Sequence, residues 1–189
     1  MEYLTGGLCL DQFNIIKYCD RPFVTVGQMN EALINNINKT VGENDHLIML
    51  GNFVFCPTDY LTGLRSIERF RNRLRVRKIT LVYGNGDARY SGDIMLDRLF
   101  IRCAHYLEYI TKSDISLILF HYAISNWNRI KQGAISCYAH DYGKNLGLDE
   151  ENQLDVSVDS AARLLKEYRP FSVEEVSHFA QSKYRLEFQ

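Results

Sequence analysis

Short apolar runs separated by longer polar stretches constrain this chain more than any other feature. The runs are "HLIML" (46–50), "KITLVY" (78–83), "SLILF" (116–120), "AISCY" (134–138) and "LDVSV" (154–158). Runs of this length, rich in branched side chains, predict buried strands. Met1 to Leu4 predicts a further short one. Thr25 to Gln28 has the form of a capping box, and Met29, Leu33 and Ile37 after it recur at helical spacing. A second helix is expected across 58–73. Ser172 to Glu175 is a second capping box, opening a C-terminal helix with Val176 and Phe179 on one side and Pro170 at its entry. Strands alternating with helices predict an α/β domain.

The ends of the runs share a property. "LGNF", "YGNGD", "HY" and "AHDYG" follow the first four, so polar residues and glycines gather at the C-terminal strand ends. In α/β folds ligands bind along that edge. At 189 residues, 46% hydrophobic and 24% charged, the chain suits a single domain over 1–189 with a substantial core. A net charge of −1 gives no general attraction to nucleic acid or membrane. No apolar run is long enough to cross a bilayer, and the N-terminus lacks a signal-peptide pattern, so the expectation is a cytoplasmic protein. Five cysteines (Cys9, Cys19, Cys56, Cys103, Cys137) form no C-x-x-C pair and read as reduced thiols, mostly in the core.

With the N-terminal "TGGLCLDQFNIIKYCDRPF", these strand ends resemble the calcineurin-like metallophosphoesterases, in particular their small single-domain bacterial and phage members. Thr5, Asn14, Ile15, Ile16, Tyr18, Arg21, Pro22 and Phe23 fall in register with the opening motif of that group. "LGNF" stands for L-G-D-F, "GNGD" for G-N-H-D, "HYLEY" for D-Y-x-E and "HYAISNWN" for H-Y-P-x-x-x-W-N. "GAISCYAHDYG", "LDVSVD" and "YRPFSVEEV" match the remaining motifs in order. The resemblance implies a β-sandwich of two mixed sheets flanked by helices.

It also implies a chemistry. Members of the family hold two metal ions side by side, which polarise a phosphoryl group and supply a hydroxide. Two dications ~3.5 Å apart repel by roughly 20 kcal/mol at an effective dielectric near 20, so anionic ligands must offset the repulsion. Carried over by position, the first-metal aspartate falls on Gly7, its neighbouring histidine on Cys9, the bridging aspartate on Asn52 and the last-motif histidine on Tyr142. The catalytic histidine falls on Gly86, leaving its orienting partner Asp87, and the opening-loop histidine falls on Gln12. Asn85, His121 and His140 are kept. No inherited ligand position is a carboxylate, so no catalytic residues and no cofactor are expected.

Two readings follow. The first is a catalytically impaired phosphoesterase fold that works by binding a protein or a nucleotide, as a phage-encoded inhibitor or adaptor would. The second is an active phosphodiesterase or phosphomonoesterase with one divalent ion (Mn, Ni or Zn) at Asn85, His121 and His140, with Asn52 as a further ligand. A rebuilt site using Cys9, Asp11, Asp87 and Asp141 is a third arrangement of the same loops. The arginine-rich stretch Arg65, Arg69, Arg71, Arg73, Arg75, Arg77 and Lys78 suggests nucleic-acid contact, against which stands a solvated face paired with the acidic segment 148–152. Trp127 reads as a packing residue beside the cleft, and Tyr83, Tyr138 and Tyr142 as its aromatic lining.

Overall fold

The structure, a computed structural model, describes residues 1–55, 59–145 and 152–181. Its first half runs β1 (Glu2–Thr5), α1 (Phe13–Tyr18), α2 (Val26–Thr40), β2 (His46–Met49), α3 (Tyr60–Arg71), β3 (Lys78–Val82), α4 (Ile94–Leu99) and β4 (Arg102–Ala104). The second half runs β5 (Tyr106–Ile110), β6 (Ser116–Phe120), β7 (Ile135–Tyr138), β8 (Gln153–Asp155), α5 (Val158–Leu164), β9 (Phe171–Ser172) and α6 (Val173–Gln181).

The strands form two mixed sheets flanked by helices. One has the order β4-β3-β2-β1-β9, and the other β5-β6-β7-β8. In the first, β1 to β4 are parallel and β9 is antiparallel to β1. In the second, β6, β7 and β8 are parallel and β5 is antiparallel to β6. A single residue, His105, separates β4 at the edge of one sheet from β5 at the edge of the other.

Side chains alternate across a strand, so each run divides between two cores. Tyr3, Leu47, Met49, Ile79 and Leu81 pack with Met29, Leu33 and Ile37 of α2 and Leu64, Ile67 and Phe70 of α3. Their neighbours Leu4, Ile48 and Val82 meet Leu117, Leu119, Ile135 and Cys137 between the sheets. Each such side chain contributes roughly 1.5–3 kcal/mol by leaving water. Gly63 lies inside α3, where glycine ordinarily weakens a helix. The reason is proximity: a Cβ there would lie 1.7 Å from the Tyr90 hydroxyl.

The expected elements are present with adjusted ends. Thr25 and Gln28 form a reciprocal capping box, as do Ser172 and Glu175, whose backbone and side chains exchange bonds of 2.9 and 3.2 Å. The run 154–158 corrects one expectation. The strand stops at Asp155, and Ser157 accepts from Ser160 N to start α5 at Val158. The helix expected from 58 starts at Tyr60, capped by Asp59; residue 58 lies outside the described residues. Strands β4, β5 and β9 and helices α1, α4 and α5 come in addition to those expected. Cys9, Cys19, Cys103 and Cys137 are free thiols, with Cys9 and Cys137 buried; Cys56 lies outside the described residues. No helix among the described residues is long and apolar enough to cross a membrane.

Candidate functional site

The loops after β1, β2, β3, β6 and β7 converge. Arg21, from the turn after α1, fixes the first of them. Its guanidinium donates to the Gly7 carbonyl at 2.6 Å, the Leu8 carbonyl at 2.9 Å and both carboxylate oxygens of Asp159 at 2.9 and 2.7 Å. Arg21 and Asp159 are both buried, so losing one partner would strand a charge at a cost of about 3–5 kcal/mol. Asp155 plays a similar part nearby, accepting from Gly143 N and Ser157 N at 2.7 Å each. Both acidic residues lie in the "LDVSVD" fragment, so the matched motif marked them without giving their partners.

Asn52 is the centre of the site. Its Oδ1 accepts from Gly86 N at 2.7 Å, which turns its Nδ2 toward Asn85 Oδ1 at 2.9 Å and the Tyr142 hydroxyl at 3.4 Å. The Asn85 oxygen therefore points onward to His121, with Nε2 3.1 Å away. His121 Nδ1 donates to the Leu50 carbonyl at 2.9 Å. Burial lowers the His121 pKa to about 4, so the ring is neutral and Nε2 is a lone pair. Two acceptors then face each other, and His140 Nδ1, 3.2 Å from the same Nε2, can donate to one of them. Asn85 and His121 are thus brought together with their lone pairs convergent, and the Nδ1–H of His140 lies against them.

The other inherited positions differ. Gly7 has a φ of +59°, and a Cβ there would meet the Tyr142 ring at 3.0 Å. The tyrosine ring occupies the room a side chain at position 7 would need. Cys9 is fully buried, its thiol pushed up to about 12 by burial, 3.5 Å from the Tyr142 hydroxyl. A thiolate ligand is therefore disfavoured. Asp87 is buried and accepts from Phe53 N at 3.0 Å and Gly84 N at 2.9 Å, so it clamps two strand-end loops. Asp11 pairs with Asn30 Nδ2 and Arg69, and Asp141 accepts from Asn145. Each of these carboxylates thus has a hydrogen-bond partner other than the histidines. Among the described residues, no group of three His, Cys, Asp or Glu side chains could hold a metal ion.

Of three further expectations two change, while the packing role of Trp127 holds. Tyr83 packs in the helix-side core against His105, with ring centroids 5.0 Å apart, and Tyr138 is fully buried; only Tyr142 of the three lines the cleft. Trp127 packs against Ile118 and Ala134 and donates to the Ala134 carbonyl at 2.8 Å. The arginine-rich stretch pairs with Asp11, Glu31 and Glu43. Arg71 instead donates to the carbonyls of Leu99, Leu74 and Arg77. The acidic partner expected at 148–152 falls almost wholly outside the described residues.

Beside this network opens a cleft of about 460 Å³, lined by Gln12 and Tyr18 of the opening segment and by His140, Tyr142 and Lys144 after β7. Tyr18 and Tyr142 meet edge to face at 6.0 Å. The Lys144 ammonium lies over the Tyr18 ring, 3.1 Å from its centroid.

No family model matches the chain. An uncharacterized protein of Methanocaldococcus jannaschii, MJ1445, is 42% identical over 85 residues, which are 45% of this chain and 46% of that protein. The match thus spans under half of the relative's length. The crystal structure of AQ665 from Aquifex aeolicus, a protein of unknown function, superposes with a TM-score of 0.65, covering 94% of this chain and 98% of the other. At 18% identity that likeness is one of fold.

Proposed function

We propose that this chain has the metallophosphoesterase-type sandwich with its binuclear centre dismantled, and that it works in the cytoplasm by binding a protein or nucleotide partner. One observation carries the reading. Where the resemblance puts a bridging carboxylate, the Asn52 amide is committed on both sides, to Gly86 N and to Asn85 and Tyr142. A neutral group that turns its N–H atoms into the centre cannot hold two dications together. The Tyr142 ring against Gly7 supports the same reading, because it fills space on the first-metal side. The four free cysteines among the described residues are consistent with a reducing compartment. A binuclear centre does not fit these residues.

A second reading rests on the convergent lone pairs of Asn85 Oδ1 and His121 Nε2, 3.1 Å apart. With His140 they fit a single divalent ion, which would supply Lewis acidity toward a phosphoryl oxygen. The deciding experiment combines elemental analysis of the purified protein with hydrolysis of bis(p-nitrophenyl) phosphate in added Mn²⁺ or Ni²⁺. The expected result is no stoichiometric metal and no turnover above buffer. Turnover that His121→Ala abolishes would establish the second reading instead.

A further inference from the structure

We propose that the cleft beside the dismantled centre is a nucleoside-monophosphate site, with the base stacked on Tyr18 and the phosphate paired with Lys144. This rests on the binding reading above and names the class of ligand. Tyr18 is 58% exposed although it belongs to α1 and borders a concave surface. The Lys144 ammonium lies over its ring, and among the described residues no carboxylate pairs with that lysine. An ammonium resting on an aromatic face at a partly exposed site is held weakly. A planar base can take its place on the ring, and the freed ammonium can then meet an anion.

The volume and lining agree. A cleft of about 460 Å³ lies within the range that holds small cofactors. Tyr142 supplies the second wall, held edge-on by hydrogen bonds of its hydroxyl to Asn52 and Cys9. Gln12, which makes no side-chain cap for α1, and Asn14 present amides able to read a base edge. The single acidic lining group among the described residues, Asp141, accepts from Asn145 and suits a ribose hydroxyl better than a phosphate. Bare phosphate would leave the aromatic walls without a partner, and a free nucleoside would leave Lys144 without one.

The test is calorimetric titration of the full chain with adenosine and guanosine monophosphates, with the nucleosides and with inorganic phosphate. A nucleoside monophosphate should bind at least about tenfold more tightly than either fragment. Tyr18→Leu and Lys144→Met should each weaken it roughly tenfold with the melting temperature unchanged, because both side chains are peripheral to the core. Equal affinity for phosphate and nucleotide, or no binding by either, overturns the proposal. Binding with added-metal turnover would retain this site while removing the reading it rests on. No binding and no turnover would remove this site and leave a protein as the partner.

Discussion

The coupling between Gly7 and Tyr142 is the sharpest statement the site makes about single residues. A side chain at position 7 meets both an unfavourable φ of +59° and the tyrosine ring. Gly7→Ala should therefore destabilise the protein by about 1–3 kcal/mol in urea unfolding. Part of that loss should vanish in the Tyr142→Ala background, with a coupling of roughly 1 kcal/mol; strictly additive losses would show that the ring does not set the limit. Titration gives a second prediction. His121 has a folded pKa of about 4 against 6.5 for an ordinary histidine, because burial disfavours its charge. The unfolded chain takes up that proton first, so stability is lost as pH falls from 6.5 to 4. Asp87 is opposite, raised by burial from 3.8 to about 6, so its share of stability is gained as pH falls through 6. His121→Gln should flatten the loss of stability between pH 6.5 and 4 relative to the wild type, and Asp87→Asn should steepen it. Curves that run parallel to the wild type would refute this account of the two groups.

At the scale of elements, Gly63 reverses the usual expectation for a helix. Alanine normally strengthens a helix interior by about 1 kcal/mol over glycine. Here the added methyl would collide with the Tyr90 hydroxyl, so Gly63→Ala should lower stability in thermal melts, by about 1–3 kcal/mol. A rise would mean that the turn carrying Tyr90 yields freely. Neither this contact nor the edge strands β4, β5 and β9 were legible in the sequence. The apolar runs gave β2, β3, β6 and β7 because both faces of those strands are buried. By contrast β5 has Tyr106, Glu108 and Ile110 exposed, and "YLEYI" carries no continuous apolar signal. The strand run at 154–158 over-reached because Val156 and Val158 are as apolar as a strand requires, while Ser157 caps a helix. Within the site, the motif positions Asn52, Asn85, His121, His140 and Tyr142 do meet. The orientation of Asn52, set by Gly86 N, and the inward stacking of Tyr142 on Gly7 depend on distant loops meeting, which no local pattern encodes.

For the molecule as a whole, the two large hydrophobic cores supply the main cohesion, and the proposed reading adds no ion to it. A chelator should therefore leave the melting temperature within about 1 °C of its value in untreated protein. A drop of several degrees would reveal a bound cation contributing to the fold. The exposed pairs of the arginine-rich stretch add little, since such contacts are worth about 0–1 kcal/mol and are screened by salt.

The crossing at His105 has a mechanical consequence. Because one residue carries the chain from β4 to β5, the two sheets are stitched along a common seam. Neither margin can fray without tugging on the other, and the His105 ring, lodged against Tyr83 and 3.2 Å from Ser91 Oγ, pins the stitch. In sub-denaturing urea, amide exchange at Leu81 and Val82 should accelerate in step with exchange at Leu119 and Phe120, as one cooperative unit.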